Sequence, residues 1–435
     1  MHFRFFIFIL FSTLICQAQL NRAIGENLVF GSARSYAMGI THSSNSNNSS
    51  LTHYNPSLLK QSLNNNNSII DFQLNLAAIS ERRSILVKDY FGDFLTYGDY
   101  VYNSNIYNYI QGGFISNITN SIAVGLSYLP LCTFNYDYLE EVRGSADIDD
   151  GEVGLKDPLE GYHKFNSSGS LKMFSLGLSY THIIKKSNTL NIGIGFNKIL
   201  NAKIIDEYSV DSLTTDFENL SLSEDYSSEV VLNNLGNFYS LGISFINKEF
   251  LMSFTVEPGL LIEKDNYYSY NFIDSLGIIS YLDSSNDNNF IDSLGVNYYK
   301  PEKLNFGFSY TPHSNSDLTI TSEIEYNKLH KVPYAINSQY IYKFGFEYIL
   351  PSDIPVRAGL SYKTSPINSL PDQAILTCGS GGSYKQLSYD IGLSYTFFDY
   401  YYPTLFVVND DDLDNFDKIT DSKLNIILGI KYFIK

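Results

Sequence analysis

Phe174–Thr181 reads FSLGLSYT, with Phe174, Leu176, Leu178 and Tyr180 alternating with Ser175, Gly177, Ser179 and Thr181. Successive side chains of an extended chain point to opposite faces, so this stretch has one apolar, aromatic-tipped face and one face of small residues. Its centre, GLSY, returns at Gly125–Tyr128, Gly359–Tyr362 and Gly392–Tyr395, with variants at Gly307–Tyr310 and Gly242–Phe245. The same period of two runs through Leu304–Tyr310 and Tyr389–Phe397, and ends in Leu424, Ile426, Leu428, Ile430, Tyr432 and Ile434. The second face is mostly Gly, Ser, Asn and Thr, with isolated charges such as Arg357 and Lys363. That mix suits a narrow wet lumen better than a bulk-water surface. Many runs reach or exceed the roughly nine to eleven tilted residues that cross a bilayer, well beyond the five or six or so common in soluble strands.

The connections sort into two classes. Short ones fall near Asn117–Asn120, Lys185–Asn188, Asn247–Glu249, His313–Asp317, Leu350–Ile354 and Asp399–Tyr402. Long ones fall near 81–104, 139–167, 208–227, 271–297, 329–337, 366–383 and 409–421. Strict alternation of the two predicts an all-β chain: a transmembrane antiparallel β-barrel of about 14 strands over residues 67–435, with both barrel ends periplasmic. On this layout Tyr180, Phe245, Tyr310 and Tyr395 fall just before short turns, at the periplasmic interface where an amphipathic ring is favoured. Tyr128 and Tyr362 fall nearer the outer girdle.

Composition agrees with export to a membrane. Charged residues are 17% and the formal charge is −17, against the clustered Lys and Arg that a nucleic-acid partner requires. Residues 1–18 read as a cleaved signal peptide: His2 and Arg4, an apolar Phe5–Ile15, then Cys16-Gln17-Ala18 before a cut ahead of Gln19. Cleavage leaves Cys132 and Cys378, which sequence alone neither pairs nor separates. Residues 19–66 break the alternation but hold the apolar anchors Leu28, Phe30, Leu51 and Leu58, and Tyr54-Asn55-Pro56 reads as a turn into a short helix. A lumenal plug accounts for such a segment better than a loose tail.

Gly31–Leu59, GSARSYAMGITHSSNSNNSSLTHYNPSLL, resembles the N-terminal hatch of the FadL/TodX outer-membrane transporters of long-chain fatty acids and hydrocarbons. Arg34, Met38-Gly39 and Asn55-Pro56 match the family's Arg…Met-Gly segment and Asn-Pro-Ala turn, with Ser57 in place of Ala. Ser127–Pro130, Lys300–Leu304 and Ile354–Gly359 resemble further strand segments, whereas Leu131-Cys132 departs from the family's pattern. The resemblance implies passive uptake of a hydrophobic small molecule, a hatch that moves when ligand binds, and lateral exit through a gap where the third strand kinks. Pro130, which removes a ladder donor there, is the candidate lateral gate. A ligand pocket is expected between hatch and wall, below loops whose aromatics could cover an acyl chain: Tyr90, Phe91, Phe94, Tyr97, Tyr100, Tyr162 and Phe165. The related PorV-type barrel shares the hatch pattern and implies a docking and shuttle component of type IX secretion, with secretion-system partners. A structural or adhesive barrel is a third reading.

No motif points to an enzyme, a cofactor or a metal. The seven His form no HExxH, and neither a Gly-x-Ser-x-Gly elbow nor a phosphate loop occurs. Asp147–Glu152 and Asp410–Asp417 are read as exposed acidic loops, because both depart from calcium-loop spacing. The duplicated NFIDSLG at Asn271–Gly277 and Asn289–Gly295 is expected to form an outer hairpin.

Overall fold

In the computed structural model the protein is described over residues 26–28, 30–64, 66–144, 158–185, 188–200, 202–213, 225–232, 236–262, 269–273, 279–283, 298–329, 337–367, 370–406 and 416–435. The leader, residues 1–18, lies outside the described residues. So do Asp147–Glu152, most of the acidic stretch before Asp417, and the second NFIDSLG copy.

Fourteen long strands make the wall: β1 (Ser68–Lys88), β2 (Phe94–Asn117), β3 (Ile122–Thr133), β4 (Ser170–Lys185), β5 (Asn188–Ile199), β6 (Asn237–Ile246), β7 (Phe250–Glu257), β8 (Glu302–Tyr310), β9 (Leu318–Lys328), β10 (Gln339–Ile349), β11 (Pro355–Lys363), β12 (Gln373–Tyr384), β13 (Leu387–Pro403) and β14 (Phe416–Ile434). Each pairs antiparallel with the next, and β14 returns to β1 from Ser68↔Ile434 upward, which closes the ring. Both ends of the wall therefore lie at the end of the short turns. Closure removes the free sheet edges that lipid could not satisfy.

The alternation read from the sequence has a physical sense of direction. On β14, Leu424, Leu428, Ile430, Tyr432 and Ile434 are exposed, while Asn425, Ile427 and Lys431 are buried inside. The GLSY copies obey the same rule: Leu126, Leu178, Leu360, Tyr180, Tyr362 and Tyr395 face out, and Ser127, Ser179, Ser361 and Ser394 face in. Among the described residues no helix is long and apolar enough to cross a membrane. The outward face of the strands is an apolar belt.

Two boundaries differ from the reading above. The last short turn is Lys385-Gln386, between β12 and β13, and not Asp399–Tyr402, which lies within β13. Lys385 takes the left-handed conformation (φ 55) that a two-residue hairpin turn demands. The Gly- and Ser-rich Cys378–Tyr384 looks like loop but is strand, its glycines lying where other atoms crowd the wall. A Cβ on Gly379 would stand 2.5 Å from that of Ala37, and one on Gly381 2.4 Å from Asp390 Oδ1. Tyr395 consequently sits on a strand leading away from the short turn, and not at the interface beside it. The expected loop at 81–104 is likewise mostly strand, since β1 and β2 pair as far as Lys88↔Phe94. Beyond the wall, the segments Tyr136–Arg143, Leu159–Ser168, Ala202–Ser212, Asp225–Leu232, Ser269–Ile273 and Ile279–Asp283 form a second, six-stranded sheet.

Candidate functional site: the lumenal segment and a break beside β3

Residues 26–28 and 30–64 lie against the inner face. They form α1 (Ala33–Ala37), α2 (His42–Asn45), α3 (Leu51–Tyr54), a 3-10 turn (Pro56–Leu58) and α4 (Leu59–Ser62). None of these is long enough to be stable alone, so the wall must hold them. Ser32 and Ser35 cap α1 reciprocally. Asn55 is fully buried and closes the Pro56 turn: its Oδ1 accepts from Ser57 N (3.3 Å) and Oγ (2.6 Å), and its Nδ2 donates to Ser43 O (2.6 Å).

The wall reaches this segment in two ways. Inward carboxylates and hydroxyls take its backbone groups. Ser49 N and Oγ donate to Asp71 (2.7 and 2.9 Å), Ser44 N and Oγ to Glu323 (2.7 and 2.8 Å), and Gly39 N to Thr377 Oγ1 (2.9 Å). Elsewhere the backbones themselves touch at glycine. Gly345 and Gly359 pair across β10 and β11. A Cβ there would stand 2.3 Å from Met38 O and 2.1 Å from Gly39 N. Gly39 needs to be glycine on two counts, a φ of +71 and a Cβ position 2.2 Å from Phe344 O. On β5, a Cβ on Gly193 would lie 2.2 Å from the Pro56 carbonyl carbon. Small inner residues thus mark where the segment docks.

Charges inside are paired into sets. Arg34 of α1 bonds Glu347 (2.6 Å), which also receives Arg357; Arg357 and Lys431 both reach Asp390 (2.9 and 3.1 Å). Lys343 bridges Glu325 (2.6 Å) and Glu323 (3.6 Å). His53 of α3 stands 3.6 Å from Glu257, which holds Lys300 at 3.0 Å. Burial pushes the His53 imidazole down to about 4, outweighing the pull of Glu257.

Near β3 the ladder departs from the regular pattern. β2 and β3 pair only from Asn117↔Ala123 to Gly112↔Tyr128. Above that level β2 stays with β1, and β3 follows β4 with a bulge between Pro130 and Cys132. The two sides meet again through side chains: Asn105 Nδ2 donates to Asp137 O, Tyr107 Oη to Asp137 Oδ2, and Leu139 N to Asn103 Oδ1. Between these levels, from Gly112 to Tyr107, the four β2 residues 108–111 have no ladder partner on β3, roughly 17 Å at the rise of a strand. Beside it Leu129, Leu131, Leu171, Met173, Ile199 and Phe238 belong to one buried apolar cluster.

The site residues read from the sequence divide accordingly. Arg34, Met38, Gly39, Asn55 and Pro56 come together in the lumenal segment, and Pro130 lies at the bulge. Of the aromatics, Tyr100 and Phe165 pack against one buried cluster of Val101, Tyr138 and Phe406. Tyr90 and Phe91 are 97% and 86% exposed at the tip of the β1–β2 hairpin, and Phe94 is exposed beside them. Tyr97 bonds Tyr401 Oη (2.8 Å), Tyr100 donates to Asp417 (2.7 Å), Tyr162 lies under Lys164, and Phe165 packs on Tyr136 and Tyr208. A cavity of about 260 Å³ does exist, but at the short-turn end, lined by Arg34, Ser44, Ser46, Gln61, Lys248 and Thr319 among others. Sequence reading missed Asp71, Glu323 and Glu347, although isolated charges at inward positions of alternating strands are a usable signal.

The architecture has solved counterparts. No protein-family model matches the chain, and no curated protein matches it in sequence. In structure it is similar to a Pseudomonas aeruginosa FadL homologue, with 14% identity, a TM-score of 0.62, and coverage of 94% of this chain and 100% of that one. It is also similar to the Ralstonia pickettii toluene transporter TbuX (11%, 0.56, 95% and 99%) and the P. putida toluene transporter TodX (13%, 0.53, 95% and 99%). The fold is that of the FadL and TodX barrels, with a lumenal segment and a break in the wall as its distinguishing site.

Proposed function

We propose that the protein is an outer-membrane channel for passive uptake of hydrophobic compounds, long-chain fatty acids or hydrocarbons among them. The short turns face the periplasm, residues 19–66 act as a hatch, and ligand leaves sideways near Pro130. The observation that carries this reading is the break between β2 and β3, backed by the buried apolar cluster of Leu129, Leu131, Leu171, Met173, Ile199 and Phe238. A polar, sugar-rich outer leaflet holds back an apolar solute; an apolar path opening into the bilayer core lowers that barrier. The test is uptake of labelled dodecanoate and toluene by cells with and without the gene. Equal uptake in both strains would refute transport.

The second sheet beyond the wall favours a further reading, docking of exported protein in the manner of PorV-type barrels. A secretion defect in the deletion strain, with uptake of both probes intact, would establish that role in place of transport.

A further inference from the structure

Segments of the second sheet rise from one side of the wall: Tyr136–Arg143 follows β3, Leu159–Ser168 leads into β4, and Ala202–Ser212 follows β5. From the other side, beyond the end of β13, Phe406 enters the same sheet. Its ring stacks on Tyr208 at 4.3 Å, His163 at 4.4 Å and Tyr138 at 5.9 Å, and Tyr208 Oη donates to Leu405 O (3.2 Å). In the ring of strands β14, β1 and β2 stand between β13 and β3, so the sheet reaches over this arc at the long-loop mouth of the lumen.

Beneath it a buried polar set joins sheet to wall. Tyr136 Oη donates to the Glu81 carboxylate of β1 (3.0 and 2.8 Å) and accepts from Arg83 (3.1 Å), whose guanidinium lies 4.9 Å from the Tyr138 ring. Arg83 also bonds Glu81 (2.6 Å) and Asp417 of β14 (3.3 Å), and Asp417 accepts from Tyr100 (2.7 Å) and Thr404 (3.2 Å). The register of β1 and β14 sets Asp421 directly opposite Glu81. Asp421 Oδ2 accepts from Tyr400 (2.9 Å), while its Oδ1 is buried with no hydrogen-bond partner. One guanidinium therefore stands against three carboxylates. Lys423, the next inward residue of β14, is paired with Glu26, and on the sheet side Glu140 and His163 lie 3.4 Å apart beyond Tyr138. Facing carboxylates with too little positive charge resist joint ionisation, and an unpaired buried charge is costly. A proton on Asp421 removes both penalties.

We propose that a proton held on Asp421, opposite Glu81, fastens the second sheet to the wall, and that the sheet loosens from the lumen mouth as pH rises and that proton passes to water. The outward apolar run of β14 stops at Leu424, so Asp421 lies beyond the belt, at the long-loop end. Burial, and after it the charge of Glu81, push the docked Asp421 carboxyl up to about 7. Undocked in water it returns to about 3.9. The docked form binds more protons between these values, so docking is fullest near pH 4 and weakens as pH rises toward 7. The sheet is thereby a pH-sensitive cover. This goes beyond the uptake reading and does not depend on it.

Amide exchange of the full-length protein in detergent micelles, corrected for intrinsic rates, tests it without a transported probe. Between pH 4.5 and 7.5 exchange across 136–143 and 159–168 should rise by at least about tenfold, while residues 68–76 of the wall stay level. Asp421→Asn imitates the protonated carboxyl and keeps the Tyr400 bond, so its profile should stay flat and low. Tyr400→Phe removes the only hydrogen bond to the ionised form and should move the midpoint of the rise upward by about one pH unit. A level profile in the wild type would overturn the proposal. So would a rise that persists in Asp421→Asn, which would assign the response to another group such as His163, or a midpoint that Tyr400→Phe leaves in place. Cells that take up neither dodecanoate nor toluene would remove the transport reading and leave this one standing on its exchange profile.

Discussion

Asn55 makes three hydrogen bonds with one buried carboxamide. Replacing it with Ala removes the turn's cap and one of the two donors to Ser43 O, which keeps Ser253 Oγ (3.1 Å), a loss of about 1–2 kcal/mol. The loss falls on the docking of residues 43–57, because the wall strands do not depend on this side chain. Asn55→Ala should therefore raise amide exchange across 43–57 while the barrel keeps its resistance to unfolding on unboiled gels. His53 adds a dependence on pH. Docked, its imidazole is neutral, held down to about 4 by burial among Glu257, Lys300 and Phe238. Undocked in water it returns to about 6.5. The undocked form binds more protons between these values, so docking is full above pH 6.5 and weakens as pH falls toward 4, by up to ~3 kcal/mol. Exchange at residues 51–54, corrected for intrinsic rates, should rise over that window in the wild type and stay level in His53→Gln.

At the scale of elements, the glycines decide how close the segment lies to the wall. β10 and β11 present Gly345 and Gly359 side by side to Met38 and Gly39. Gly359→Ala would place a carbon on the Gly39 backbone and force α1 inward, straining the Arg34–Glu347 pair. Neither strand loses a ladder bond. We expect an assembled barrel with increased exchange at residues 33–40; unaltered protection there would show that the contact is not tight. The hairpin joining β1 and β2 differs in kind. Its tip, Asp89–Asp93, is a turn in which Phe91 N and Asp93 N donate to Asp89 Oδ1, and its aromatics face solvent. Tyr90→Ser with Phe91→Ser should leave both assembly and uptake unaltered, since neither ring touches the lumen.

At the scale of the molecule, wall and segment contribute separately. The wall closes through strand ladders alone, from β1 round to β14 and back. Deleting residues 26–64 should leave a barrel that still shifts mobility on heating, but with an open polar lumen. Its conductance in planar bilayers should rise well above that of the intact chain, and an unchanged conductance would mean that the segment does not obstruct the lumen.

Much of this molecule is written locally. Long strands, their outward and inward faces, and their number follow from a period of two and from the spacing of turns, since a strand's faces are set by adjacent residues. Cys378–Tyr384 resembles a loop because glycine normally marks a turn, and only contacts made in the tertiary structure, Ala37 at Gly379 and Asp390 at Gly381, explain glycine within a strand there. The lumenal segment was visible as a failure of alternation, but its partners were not. Arg34 meets Glu347 across 313 positions, and no local pattern encodes such a pair. The break beside β3 is still less local. Pro130 marks a lost donor, yet the gap exists because β2 stays with β1 while β3 follows β4, and because Glu26–Leu28 returns to the vacant edge. Periodicity belongs to single strands and could be read from the sequence by itself; register and closure belong to pairs of strands distant in the chain, and only the tertiary structure decided them.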